Sequence, residues 1–394
     1  MTDPQASYEV SIVMPCLNEE KTVGPCVDQA WQFIRENDLA GEVIVADNGS
    51  TDRSTEIAAA HGARVVPVRE KGYGNALRGG FAAAQGTYII MGDTDGNHDL
   101  VHLMPFLEKL REGYELVVGN RFSGGIEPGS MPWMRQYIGN PALSFVGRLF
   151  FDTPVRDFHC GLRGVRKDAL ARMRLTTTGM ELASEIVIKA SILKMRTCEV
   201  PTRQLADDPE RDSHLRTFRD GWRHLRFLLL YSPQWLFLYP GSVMLVLGFA
   251  FSALLFLGPI SVQNGGVIDF HTLIYAGSFS IIGLNLLSFG VITRVYAYNH
   301  DLLPTRPGFF GLLDVFRLER GVLLGGLLTL GGVVILLISL YLGFSGQFAD
   351  MGRANTIRIV YGSSILLVAG TQVVFTSFVL SILGLKVSHS HDLD

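Results

Sequence analysis

The sequence predicts an α/β domain on an open, mostly parallel sheet, followed by an α-helical membrane domain of four spans. Three observations predict it. Short apolar runs alternate with helix-like segments in the first half of the chain, and each run ends in a polar cluster. Charge then almost vanishes across four long windows after residue 235.

The elements of the first half follow one another in a βαβα rhythm. VSIVMPCL (10–17) is an apolar run of the kind buried on both faces of a parallel sheet. Residues 19–37 are helix-like, EVIVAD (42–47) is a second strand, and 51–62 form a helix closed by Gly62. ARVVPVR (63–69), a helix over 74–86 and TYIIMGD (87–93) complete the series. In such sheets ligands bind beyond the carboxyl ends of the strands, where the polar clusters lie.

The four apolar windows are 235–258, 272–298, 321–344 and 359–385. At a rise of about 1.5 Å per residue, each crosses the roughly 30 Å hydrocarbon core as a helix. Arg294 is the only charge expected within them, and Gly325, Gly326, Gly331 and Gly332 suit close helix packing. Arg216, Arg219, Arg223 and Arg226 precede the first span, and Arg306, Arg317 and Arg320 lie between the second and third. The loop between the first two spans has no Lys or Arg. This asymmetry places the N-terminal domain and Lys386 in the cytoplasm, with Arg353 and Arg358 in the last loop as an exception. Trp222 and Tyr231 suit the membrane interface.

The 394 residues carry a formal charge of −3, which leaves no nucleic-acid footprint. Cys16, Cys26, Cys160 and Cys198 form no CxxC pair and read as reduced thiols of a cytosolic domain. The opening residues show no basic and apolar pattern of a secretory signal. A homo-oligomer is compatible with all of this.

Chemistry concentrates at the strand ends. MPCLNEE carries Asn18, Glu19 and Glu20 after the first strand; ADNGSTD carries Asp47, Asn48, Ser50 and Asp52 after the second. Taken singly, each reads equally well as a turn or helix cap. GDTDGNHD sets Asp93, Asp95 and Asn97 at alternate positions, oxygen ligands of the type that hold a hard divalent cation, Mg²⁺ or Mn²⁺, with a diphosphate. It is no EF-hand, since His98 stands where the required Gly belongs. KGYGNALRGG opens a helix with glycines that allow close approach to phosphate, without the Lys-Ser/Thr of a P-loop.

Together, MPCLNEE, ADNGSTD, GDTDGNHD and the later GNRF resemble family 2 glycosyltransferases with the nucleotide-sugar-binding GT-A fold. DFHCGLRG, GMELASEIVIKA and DGWRHLRFLLLYSPQWLFLYPG are similar to the branch that makes polyprenyl- or dolichyl-phosphate sugars. The resemblance covers about residues 10–241 and implies a catalytic domain over 1–230 and a membrane domain over 231–394. It implies inverting transfer of a single hexose from UDP-glucose or GDP-mannose to polyprenyl phosphate. The QxxRW motif of processive synthases is absent, because Gln234 and Trp235 are adjacent. By the same resemblance, Pro15, Asn18, Glu19, Asp47, Asn48, Lys71, Asp93, Thr94, Asp95 and Arg203 bind the nucleotide-sugar. Asp93, Asp95 and Asn97 hold the metal. Arg121, Arg135 and Arg163, with Arg211 and Ser213, face the acceptor phosphate. Asp95, Asp157, Arg121, Arg135 and Arg163 form the catalytic set, with Asp157 orienting Arg163 or the sugar and Glu185 completing the cleft. Asn48 stands where many relatives carry a second Asp.

A phosphate acceptor is already largely dianionic at neutral pH and needs no general base, only cations that gather two anionic reactants. Two other readings stand beside this one. In the first, the acceptor is the hydroxyl of another membrane lipid, which needs a base. In the second, the spans form a transporter or flippase with a sugar-nucleotide-binding domain, against which the lack of buried charge in the spans argues.

Overall fold

The computed structural model describes residues 8–206, 217–261, 266–299, 318–347 and 352–384. Contacts divide the chain into two compact units, residues 1–231 and 232–394. Arg211, Ser213, Arg216, Arg306, Arg317 and Lys386 lie outside the described residues.

The first unit is built on a seven-stranded sheet in the order β3-β2-β1-β4-β6-β5-β7. Strands β1 (Val10–Cys16) and β2 (Gly41–Asp47) are buried along almost their whole length, as their unbroken apolar runs require. β1 pairs in parallel with β2 and with β4 (Tyr88–Met91), and β2 in parallel with β3 (Arg64–Pro67). Helix α1 (Val23–Glu36) buries Val23, Val27, Ala30 and Ile34, a stripe at 3.6-residue spacing that covers the sheet.

β6 (Arg163–Arg166) is the exception. It runs antiparallel between β4 and β5 (Leu116–Asn120), and β5 pairs in parallel with β7 (Thr197–Pro201). The reversal matters for the site. The N-terminal end of β6, and the DFHC segment that leads into it, come to the same sheet edge as the carboxyl ends of the parallel strands.

The second unit contains four helices long and apolar enough to cross a membrane: Gln234–Leu257, Phe270–Asn299, Leu318–Phe344 and Ala354–Leu383. Their mean hydropathies are 2.1, 1.6, 2.5 and 2.1, which identifies an integral membrane protein. The fourth begins at Ala354, earlier than the sequence suggested, so Arg358 lies inside a helix and Arg294 is not the only charge in the spans. Arg358 is buried, and a buried charge needs partners. Its guanidinium donates to Asp269, to Asn355 Oδ1 at 2.9 Å and to the Leu255 carbonyl at 3.0 Å. The pairing with Asp269 neutralises one of the two charges that broke the loop asymmetry.

Glycines set the helix spacing. A Cβ at Gly283 of the second span would lie 2.4 Å from the Leu245 nitrogen of the first, and one at Gly370 would lie 2.6 Å from the Gly325 carbonyl. Gly325 and Gly332 pack against the fourth span as expected, whereas Gly326 and Gly331 face open space. Each is one residue, about 100°, round the helix from a contacting glycine, on either flank of the packed face.

Candidate active site

A cleft of about 480 Å³ opens at the carboxyl edge of the sheet, within the range of small-molecule sites. Among the expected residues, Pro15, Glu19, Asn48, Asp93, Thr94, Asp95, Asn97, Arg121 and Arg135 line it. Asn18, Asp47, Lys71, Asp157, Arg163 and Arg203 are not in its wall.

The first two polar clusters knit into one scaffold. Asn18 adopts a positive φ of 56°, a conformation Asn tolerates, and its Oδ1 accepts from the Thr51 amide at 2.8 Å. The Glu19 amide donates to Ser54 Oγ at 2.7 Å. Both Asp47 oxygens are taken up by the turn, accepting from the Gly49 and Ser50 amides at 3.0 Å. Lys71 donates to the Asn48 and Gly49 carbonyls at 2.8 and 3.2 Å. Thr94 Oγ1 donates to the Pro15 carbonyl at 2.8 Å and locks β1 to the loop after β4.

Asn48 explains itself here. Its Nδ2 donates to the Glu70 and Val68 carbonyls at 2.7 and 3.3 Å, while its Oδ1 accepts from the Gly72 amide at 2.6 Å. A carboxylate can only accept, so Asn48→Asp would set an oxygen against two carbonyls. We expect it to lower stability by about 2 kcal/mol, read as a fall in the unfolding midpoint of the solubilised protein. An unchanged midpoint would show that the amide does not hold this loop.

The loop after β4 forms the acidic wall. Tyr73 Oη donates to Asp93 Oδ1 at 2.8 Å, and His98 Nε2 lies 3.5 Å from Oδ2. Burial acts to raise the Asp93 carboxyl, but His98, Tyr73 and Arg121 outweigh it and hold it below its ordinary value. Asn97 donates through its amide N and Nδ2 to the two Asp95 oxygens, at 3.1 and 2.9 Å. That leaves Asn97 Oδ1 buried with no hydrogen-bond partner. Among the described residues no three His, Cys, Asp or Glu side chains are grouped to hold a metal. Two carboxylates and one orphaned amide oxygen nonetheless fit a hard cation that completes its shell with ligand oxygens.

The opposite wall is cationic. Arg121, at the end of β5, is bound at both ends of its fork: Nε to Asp157 Oδ2 at 2.7 Å and Nη2 to Oδ1 at 2.8 Å. Burial opposes its charge, but Asp157 overrides this and holds the guanidinium above its ordinary pKa. Asp157 is itself fully buried, and its amide donates to Glu199 Oε1 at 2.9 Å. Asp157 therefore orients Arg121, where Arg163 or the sugar was expected. Arg135 sits half-buried in a π-helical turn, Arg135–Gly139.

Arg163 is corrected outright. It is the largest fully buried side chain, and its guanidinium donates to the carbonyls of Cys160, Phe158 and Ala183. It ties the DFHC segment to helix α2 (Leu182–Ile192) from behind the cleft and cannot reach an acceptor. Glu185, also expected in the cleft, is buried where it accepts from Thr176 and Thr177 and pairs with Lys189 at 2.7 Å. Arg203 is exposed.

The four thiols are free. Burial pushes Cys16 and Cys198 up to about 11, and Cys26 and Cys160 up to about 12, so none is a nucleophile at neutral pH.

Sequence reasoning missed Tyr73, His159, Gln204 and His224, which also line the cleft. His159 and His224 are 65 positions apart, and no spacing rule joins them. The signal for His159 was its place in the DFHC segment, two residues after Asp157.

The profile described as "Glycosyl transferase family 2" matches residues 11–174. A second, "Glycosyltransferase family 2 C-terminal transmembrane region", matches residues 291–384. The low-salt glycan biosynthesis hexosyltransferase Agl6 of Haloferax volcanii is 34% identical, over 97% of this chain and 91% of that protein. A dolichyl-phosphate hexose transferase of the same organism is 30% identical, over 49% of this chain and 81% of that protein. Among solved structures, glucosyl-3-phosphoglycerate synthase from Mycobacterium tuberculosis in complex with Mn²⁺, uridine diphosphate and glucosyl-3-phosphoglycerate is 23% identical with a TM-score of 0.44. That match covers 57% of this chain and 79% of that one. With full-length similarity to a named hexosyltransferase and both family profiles in the expected order, the chain is a membrane member of the family 2 glycosyltransferases.

Proposed function

We propose that this enzyme transfers one hexose, with inversion, from UDP-glucose or GDP-mannose to polyprenyl phosphate at the cytoplasmic face. The carrying observation is the two-sided cleft: Asp93, Asp95 and the unpartnered Asn97 oxygen on one wall, Arg121 clamped by Asp157 on the other. The names of the two Haloferax relatives support a hexosyl donor and a lipid-phosphate acceptor.

Asp93, Asp95 and Asn97 would hold Mg²⁺ or Mn²⁺, which supplies neutralisation of the departing diphosphate when bound. Glu19 and Asn48 shape the nucleotide side of the cleft. Arg121 and Arg135 draw in the acceptor phosphate, and the fixed fork of Arg121 presents its remaining N–H groups without reorganisation. Asp157 is spent on Arg121 and is not free to act as a base. A phosphate nucleophile does not need one. This favours a phosphate acceptor over a lipid hydroxyl. Orientation rests on Arg223 and Arg226 before the first span, set against a first interspan loop without Lys or Arg.

The test is incubation of membranes containing the protein with labelled UDP-glucose or GDP-mannose and polyprenyl phosphate, then organic extraction. Label is expected in an acid-labile phospholipid from one donor. Label found only in a hydroxyl lipid such as diacylglycerol or ceramide would overturn the acceptor assignment.

A further inference from the structure

His159 lies in the cleft wall, two residues beyond Asp157, on the segment that antiparallel β6 brings to the sheet edge. Both of its ring nitrogens are shielded from solvent and have no hydrogen-bond partner among the described residues. The large majority of buried side-chain polar atoms in folded proteins are paired, so two orphans on one ring in a cleft wall point to a ligand. The ring is held in place. His224 meets it edge to face, with centroids 4.5 Å apart at 82°, and is itself anchored by Ser184 Oγ 2.9 Å from its Nδ1.

The charges around the ring decide what it binds. The facing groups are the guanidinium of Arg121 on the cleft wall, that of Arg163 behind it and the ring of His224 on helix α3 (Thr217–Leu230). Burial first, then these three, push its pKa well below the ordinary histidine value, so the ring is neutral. A neutral imidazole carries one N–H and one bare nitrogen. Diphosphate and acceptor phosphate oxygens accept only, whereas a hydroxyl both donates and accepts.

We propose that His159, braced by His224 and Ser184, is a substrate-binding residue that hydrogen-bonds a hydroxyl of the transferred hexose. This rests on the transferase reading above and assigns the part of the donor that distinguishes one sugar from another. It makes the histidine pair a determinant of hexose choice, separate from the metal and phosphate sites.

The experiment uses the full chain in detergent or nanodiscs and titrates wild type, His159→Phe and His159→Gln. The probes are UDP and GDP alone, UDP-glucose and GDP-mannose, and their monodeoxy-hexose analogues. For His159→Phe, affinity for the working nucleotide-hexose is expected to fall about tenfold, with bare nucleotide affinity within about twofold of wild type. His159→Gln, which keeps a donor and an acceptor, is expected to recover part of the loss. One deoxy analogue is expected to bind wild type and His159→Phe equally, which identifies the hydroxyl. Bare-nucleotide binding also reports folding. Equal losses on nucleotide and nucleotide-hexose, no loss on either, or a loss confined to polyprenyl phosphate would each overturn the proposal. Wild type that binds no nucleotide would instead overturn the transferase reading on which it rests.

Discussion

Replacing Asp95 with alanine is expected to lower transferase turnover by about two to three orders of magnitude, the scale of losing one group that supports stabilisation of a developing anion, here through the proposed cation. Asp95 is the carboxylate that engages both Asn97 donors, at 3.1 and 2.9 Å, and so aims the unpartnered Asn97 oxygen. Its loss removes one proposed cation ligand and frees a second to rotate. Because Asp95 is partly exposed in the cleft wall, the fold should survive. Turnover measured across a Mn²⁺ or Mg²⁺ titration, alongside the unfolding midpoint, checks this. Partial recovery at raised cation concentration is the expected signature, and turnover near wild type at all concentrations would remove the metal assignment.

Replacing Asp157 has the other large effect, on both stability and activity. Asp157 is fully buried, and its two oxygens hold the Nε and Nη2 of an almost fully buried Arg121. Asp157→Ala strands that guanidinium without its counter-charge, a class of change that costs about 3–5 kcal/mol. In a unit of this size the unfolding midpoint should drop by roughly 10 °C. Apparent affinity for polyprenyl phosphate should fall more than affinity for the nucleotide-sugar, because Arg121 no longer presents a fixed fork. The Asp157→Ala, Arg121→Ala double variant should be more stable than Asp157→Ala alone, since no charge is then left unpaired. A double variant less stable than the single one would mean that the pair is not the unit that matters.

The two arginines of GNRF and DFHCGLRG show what residue type cannot decide. Arg121 and Arg163 look equivalent in sequence, each in a polar motif near a strand end. In three dimensions one is clamped by a carboxylate at the cleft wall, and the other is sealed among three carbonyls. Guanidinium chemistry serves both purposes. Only the direction of the backbone, reversed in β6, determines which is met.

Features that depend on local chain properties were legible in the amino-acid sequence. Unbroken apolar runs specify buried parallel strands, long uncharged windows specify membrane helices, and motif spacing identifies the family. Those signals are short-range, because burial periodicity and polar clustering repeat within a few residues of each other. The closed fold alone set the insertion of antiparallel β6, the place of Arg121 instead of Arg163 beside Asp157, the Arg358–Asp269 pairing and the meeting of His159 with His224. Each of these joins residues from separate elements. Their energetics come from desolvation and partner geometry, which exist only once the chain has closed around them.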